Sequence, residues 1–172
     1  GKMVGLDIPI APMRRQATIT TPMSEFPPTY PLIIDFTSSL HFRPSEGCIH
    51  IGMSNREEKP GAPLVVDEDF KQKMLELALP RLPLLEHATL AHDVVGYYEE
   101  TPDSHPILGA VREVPGLYMA AGFSGHGIMH SPATGQVISE IIVDGKARTV
   151  DVSMLDLDRF REGRPIQEMN VV

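Results

Sequence analysis

The sequence predicts an α+β fold: a mostly antiparallel sheet with one helix packed on it, followed by a terminal strand and helix. Three observations carry this. Between Ala17 and Gly52, short apolar or alternating runs are separated by clusters of turn residues, as in neighbouring strands. From Asp67 to Leu79 the period changes to that of a helix with one apolar face. From Leu117 to Gly145 an apolar run, a glycine-rich turn and a second helical period succeed one another, which reads strand, tight turn, helix.

Taken in order, Gly1 to Pro12 reads as a loop entering a strand rather than as a capped domain edge, so the chain is expected to begin within something larger. Gly5 to Pro12 is an extended connector, and Ala17-Thr18-Ile19-Thr20 alternates as a strand. Met23 to Pro31 carries Pro27, Pro28 and Pro31, with Pro22 just before it, and must be a loop. Leu32 to Phe36, Leu40 to Arg43 and Cys48 to Gly52 are strand candidates, the last two joined as a hairpin by Pro44-Ser45-Glu46-Gly47. Asp67 caps the first helix, whose first turn holds Glu68 and Asp69. Phe70, Met74, Leu77 and Ala78 form its apolar face, and Pro80 and Pro83 stop it. Thr89 to Tyr98 is a further strand, Glu99 to Pro106 a polar turn, and Ile107 to Ala110 a brief apolar run. The closing unit is a strand, Tyr118 to Ala121, and a helix, Pro132 to Asp144, with Ser131-Pro132 as cap and first-turn pair and Gly145 as C-cap. A short element near Ser153 to Phe160 ends the readable part; Gln167 to Val172 has no distinguishing pattern.

With 172 residues, 42% of them hydrophobic, the chain can build a real core. A net charge of -8 and a pI near 5.3, with no basic block, argue against an electrostatic grip on nucleic acid or anionic lipid. No run approaches the length of a membrane span and no signal-peptide pattern opens the chain. Cys48 stands alone and cannot form an internal disulfide, which fits a reducing compartment. The expectation is a cytoplasmic protein, or a mitochondrial matrix protein in a eukaryote.

Three chemistries compete for the segment Gly122-Phe123-Ser124-Gly125-His126-Gly127-Ile128-Met129. A nucleophile elbow needs glycine two positions after the serine, where His126 stands. A metal site would use His126 and His130 with His105, but no H-E-x-x-H arrangement supplies the rest. A cofactor cradle uses the small residues for close backbone approach and the following helix dipole to favour an electron-rich group. A glycine-rich turn that merely lets strand and helix pack explains the same residues.

The run Tyr97-Tyr98-Glu99-Glu100-Thr101-Pro102-Asp103-Ser104-His105-Pro106-Ile107-Leu108-Gly109, with Gly116-Leu117-Tyr118 and Ala120-Ala121 leading into Gly122 to Gly127, closely resembles the C-terminal half of the FAD-dependent amine oxidoreductases. That family includes sarcosine oxidases and dehydrogenases, glycine oxidase and D-amino-acid oxidase. Arg43-Pro44, Gly47 and Ile51-Gly52 resemble its substrate-domain hairpin, and Asp158-Arg159-Phe160 through Ile166-Gln167-Glu168 resembles its sarcosine-oxidase-β-like and FOXRED-type branches.

The resemblance implies that Gly122, Phe123, Ser124, Gly125, His126, Gly127, Ile128 and Met129 meet the flavin ring of FAD with backbone amides. It places Tyr98 where sarcosine oxidases present an aromatic residue to the substrate amine, which favours secondary or tertiary amines such as sarcosine or dimethylglycine. Gly96 stands where monomeric sarcosine oxidases carry the tethering cysteine, so FAD would be held non-covalently. Met129 replaces a lysine that helps hold substrate carboxylate, and His50 falls at a lysine associated with oxygen activation. The Rossmann G-x-G-x-x-G of the family is absent from these residues. The implied partition is residues 1–98 as part of a substrate-binding domain, 99–150 as the strand–turn–helix that completes an FAD-binding domain, and 151–172 as a tail. Such a piece would need the missing Rossmann portion as its partner, and its exposed apolar surface would otherwise suit a homo-oligomer. A non-enzymatic interaction module, or a separately encoded subunit, is the competing expectation.

Overall fold

A computed structural model describes residues 1–27 and 29–167. Pro28 of the proline loop, and the end of the tail from residue 168, lie outside the described residues. The described residues form two compact units, one of residues 13–97 and one joining residues 1–12 to residues 98–167. The opening twelve residues, expected with the first portion, therefore fold with the second.

The sheet of the first unit contains β1 (Ala11–Thr20), β2 (Ile33–Asp35), β3 (Leu40–Ser45), β4 (Cys48–Gly52) and β5 (Leu90–Glu100), in the order β2-β3-β4-β1-β5. The pairs β2/β3, β3/β4 and β1/β4 are antiparallel. The β3/β4 connection is tighter than the sequence implies. Ser45 pairs with Cys48, leaving a two-residue loop in which Glu46 and Gly47 both take positive φ, the mirror-image turn whose twist suits a hairpin. Alternation then sorts the faces: Leu40, Phe42, Ile49 and Ile51 are buried in one core, while His41, Arg43 and His50 occupy the opposite side.

Helix α1 (Glu68–Arg81) covers that core. Asp67 caps it, its Oδ1 accepting the Phe70 N–H at 3.0 Å. Met74 and Ala78, one turn apart, are its buried residues, with Phe70 packed beside them. Leu77, expected on this face, is 42% exposed. Pro80 does not stop the helix; lacking only one late N–H donor, it sits inside the last turn, and Pro83 opens a short 3-10 helix, Pro83–His87.

In the second unit β6 (Ile107–Ala110) and β7 (Tyr118–Ala121) form an antiparallel hairpin, so the terminal strand has a neighbour that the sequence reading did not supply. Helix α2 (Gly127–Asp144) follows the turn after β7. It starts five residues before the expected Pro132. Proline at position 132 cannot donate to the Ile128 carbonyl, and Ser131 Oγ does so instead at 2.9 Å, so the helix tolerates it. Gly145 closes the helix in the left-handed conformation, as expected. The core of this unit gathers Leu6, Ile107, Val111, Met119 and Leu157. The tail adds a 3-10 turn at Ser153–Leu155 and α3 (Asp158–Arg161). Among the described residues no helix is long and apolar enough to cross a membrane.

Candidate flavin-facing turn

Between β7 and α2 the backbone enters the left-handed region three times, at Gly122 (φ 75°), Ser124 (φ 49°) and Gly125 (φ 92°). Backbone of this kind reverses the chain tightly between the strand and the helix. Two internal bonds fix it: the Ser124 N–H donates to the Glu99 carbonyl at 3.1 Å, and the His126 N–H to the Phe123 carbonyl at 2.9 Å. Ser124 is buried, its side chain turned back toward the Gly122 carbonyl, while Gly125 is exposed.

Both glycines at the ends of the bend are required by close packing. A Cβ on Gly122 would lie 2.5 Å from Thr101 Cγ2 and 3.3 Å from Ile10 Cδ1. A Cβ on Gly125 would fall within 2.8 Å of Tyr98 Cδ2 and Cζ. The Tyr98 ring thus lies directly against the turn. The sequence-derived substrate residue and the sequence-derived cofactor segment are brought together, 27 positions apart in the chain, by the end of β5 running beside the turn.

No side chain caps α2. Its first N–H groups therefore have no intrahelical acceptor and point, with the positive end of the dipole, out of the helix start. Ile128 and Met129, expected in the turn, lie in this first helical turn, and Ile128 is 93% exposed. The imidazoles of His126 and His130 stack with centroids 5.9 Å apart. Among the described residues no group of three or more histidine, cysteine or acidic side chains is placed to hold a metal ion.

His50 belongs to the other unit, half-buried on β4. Its Nδ1 lies 3.0 Å from Arg43 Nη2, which donates to it across the β3/β4 pair. Burial lowers the His50 pKa from the ordinary 6.5, and the charges of Arg43 and His92 lower it further. The imidazole is thus neutral near pH 7, and Arg43 carries the positive charge. Sequence reasoning singled out His50 without its partner, although register pairing of two strands joined by a short hairpin puts them opposite.

The sequence reading also missed a buried ion pair. Arg159 is 0% exposed and places all its donors: Nε and Nη2 on the two Asp103 oxygens at 2.8 and 2.9 Å, Nη2 also on the His105 carbonyl, and Nη1 on the carbonyls of Leu155 and Asp156. Burial alone would raise the Asp103 pKa. Arg159, with the N–H groups of Ile166 and His105, more than reverses that and holds the carboxyl well below the usual range. In the sequence Arg159 is one of several charged residues, with Asp156, Asp158 and Arg161, set among Leu155, Leu157 and Phe160, and nothing there marks it as buried.

Comparison with known proteins identifies the family. The model of the DAO family, FAD dependent oxidoreductase, matches residues 1–141. The chain is 32% identical to FAD-dependent oxidoreductase domain-containing protein 1 of Xenopus laevis over 173 aligned positions, covering 98% of this chain and 35% of that protein. It is 27% identical to mitochondrial dimethylglycine dehydrogenase of Mus musculus, covering 95% of this chain and 21% of that one. Among solved structures, L-proline dehydrogenase from P. horikoshii superposes with a TM-score of 0.87 at 32% identity, over 95% of this chain and 44% of the other. The chain thus spans about a third, or less, of the length of these curated relatives. With a family match over more than half its length, this chain belongs to the DAO family of FAD-dependent oxidoreductases.

Proposed function

We propose that this chain supplies the flavin-ring cradle and part of the substrate wall of an oxidoreductase that oxidises the C–N bond of a small amino-acid-like amine, with sarcosine, dimethylglycine or a similar secondary or tertiary amine as substrate. The observation that carries the reading is the turn itself. The uncapped start of α2 leaves its first N–H groups without an intrahelical acceptor, two positions of the left-handed turn before it exclude a Cβ, and the Tyr98 ring lies on the exposed Gly125. This donor set and steric plan fit a flat, electron-rich ring approached by backbone. Gly122, Phe123, Ser124, Gly125, His126, Gly127, Ile128 and Met129 would hold it. FAD, when bound, accepts the hydride that the amine gives up.

The protein groups position and polarise. N–H donors fixed before reaction favour negative charge at the ring edge they face, at no reorganisation cost. Tyr98 restricts how closely and in what orientation a substrate approaches the turn. Loss of the hydride would leave the amine as an iminium, which water hydrolyses to the dealkylated or deaminated product and a carbonyl compound, with a proton released to solvent. In the other unit, Arg43 and His50 form a hydrogen-bonded pair of one cation and one imidazole. L-Proline is a secondary amine, so the likeness to L-proline dehydrogenase supports the same substrate class.

The remaining portion of the longer relatives, with its Rossmann fingerprint, is the proposed partner. The exposed apolar residues of α2, Ile128 at 93% and Val143 at 81%, support a partner covering that helix. By itself the chain is expected to bind FAD weakly and to be inactive; micromolar binding in a spectral titration would overturn that. A cytoplasmic location, or the mitochondrial matrix in a eukaryote, is proposed with it.

The deciding experiment is anaerobic bleaching of the flavin in the full-length protein by sarcosine, dimethylglycine, L-proline and D-alanine. Bleaching by the first three is expected. Bleaching by D-alanine alone would overturn the reading of Tyr98, and no bleaching by any amine would overturn the reaction class.

A further inference from the structure

The turn is held from beneath by buried side chains. Gly122 rests on the methyl group of Thr101, and that methyl is not free to turn away. Thr101 Oγ1 donates to the His105 carbonyl at 2.7 Å and lies 3.2 Å from Asp103 Oδ1, which fixes χ1 and leaves Cγ2 facing Gly122. Asp103 in turn is held in place by two bonds from Arg159 and by the N–H groups of His105 and Ile166. Arg159 is anchored to the tail through the Leu155 and Asp156 carbonyls, and its guanidinium carbon lies 4.1 Å from the centroid of the Phe160 ring. Thr101, Asp103 and Arg159 are all buried, and all belong to one compact unit. A continuous chain of fixed contacts therefore runs from the tail, around Ser153 to Ile166, to the underside of the turn.

We propose that Arg159 is a positioning residue for the flavin, acting through Asp103 and Thr101 to set the height and tilt of the Gly122 to Gly125 backbone. This rests on the flavin-cradle reading of that turn. A guanidinium fork suits the task, because its planar donors fix both carboxylate oxygens at once, where an ammonium would fix one point. Supporting groups behind a binding surface decide whether its donors stand at the working distance, and small displacements there have large effects.

The test uses the full-length, FAD-loaded protein and reads three quantities: far-UV circular dichroism for the fold, visible-region circular dichroism of the flavin, and the FAD dissociation constant. Thr101→Ser keeps the hydroxyl and its bonds but removes the methyl under Gly122. Arg159→Lys keeps the charge but not the fork. Both are expected to keep the fold signal, to change the flavin dichroism in the same sense, and to weaken FAD by about tenfold or more. The double variant is expected to do little more than either single change, since both act along one path.

A folded Arg159→Lys protein with wild-type flavin dichroism and FAD affinity overturns the proposal, as does a Thr101→Ser protein with both unchanged. Should Arg159→Lys fail to fold, Thr101→Ser decides alone, in the same sense. Gly125→Leu separates the two readings. If it leaves the flavin spectrum untouched, the cradle reading falls and this inference with it. If it perturbs the spectrum while Thr101→Ser does not, only the inference falls.

Discussion

Replacing Gly122 with alanine tests the steric plan of the turn with a magnitude that can be worked beforehand. At φ 75° an alanine sits in the left-handed region, at a cost of about 1–2 kcal/mol. Its Cβ would also lie 2.5 Å from Thr101 Cγ2 and 3.3 Å from Ile10 Cδ1. The threonine methyl cannot swing aside without breaking its hydroxyl bonds, so overpacking adds about 1–3 kcal/mol. The sum is about 2–5 kcal/mol, read by denaturant unfolding of the full-length protein. Two companions sharpen it. Thr101→Ser in the Gly122→Ala background should recover much of the overpacking share but none of the backbone share. Gly135→Ala, in the interior of α2 with open space around the new Cβ, should stabilise by about 0.5–1 kcal/mol. A Gly122→Ala loss below about 1 kcal/mol, or no relief from Thr101→Ser, would refute the account of why glycine stands here.

The other predictions concern single contacts. Asp67→Ala should destabilise by about 1–2 kcal/mol, because the α1 cap is lost, while Asp67→Asn should lose less than half of that; comparing their unfolding midpoints checks it. Glu140 accepts the N–H groups of Arg148 and Thr149 and the Thr149 hydroxyl, which lower its pKa from 4.5 to about 2. A depressed carboxylate pKa stabilises above the unfolded value and loses that contribution as pH falls from about 4.5 toward 2. The protection factors of the Arg148 and Thr149 amides, taken against the intrinsic exchange rate at each pH, should therefore fall in that window, and Glu140→Gln should lower them already at neutral pH. For His50, burial is the larger cause of the lowered pKa and Arg43 the next. Arg43→Met should raise the midpoint of the His50 ring-proton NMR titration yet leave it below 6.5; a midpoint at or above 6.5 would show that burial is not the main cause.

Much of the fold was legible because the signals were local. Cys48 to Gly52 alternates and lies between turn residues, and the Asp67 cap precedes a helical period, so strand β4 and the start of α1 stand where the residues place them. The misplacements share a cause as well: proline was given too much authority. Pro132 read as a helix start and Pro80 as a helix stop, yet each occupies a helix interior where its missing N–H is compensated or falls in the last turn. Leu77 read as core because periodicity tells which residues share a face, but not how wide a strip of that face the sheet covers.

The site divides along the same line. The turn was legible, since glycines needed for φ or for close approach leave a mark in the sequence itself. Its supports were not, because Thr101, Asp103 and Arg159 are joined by tertiary packing over 58 positions, and no spacing rule relates a threonine at a strand end to an arginine in a tail. Yet the supports explain the motif. In Thr101-Pro102-Asp103 the threonine presents a methyl to Gly122 and the aspartate receives the tail. The glycine-rich turn therefore belongs with a buried ion pair whose arginine stands 34 positions beyond Gly125, and the glycines alone describe the surface of the turn without what keeps it in shape.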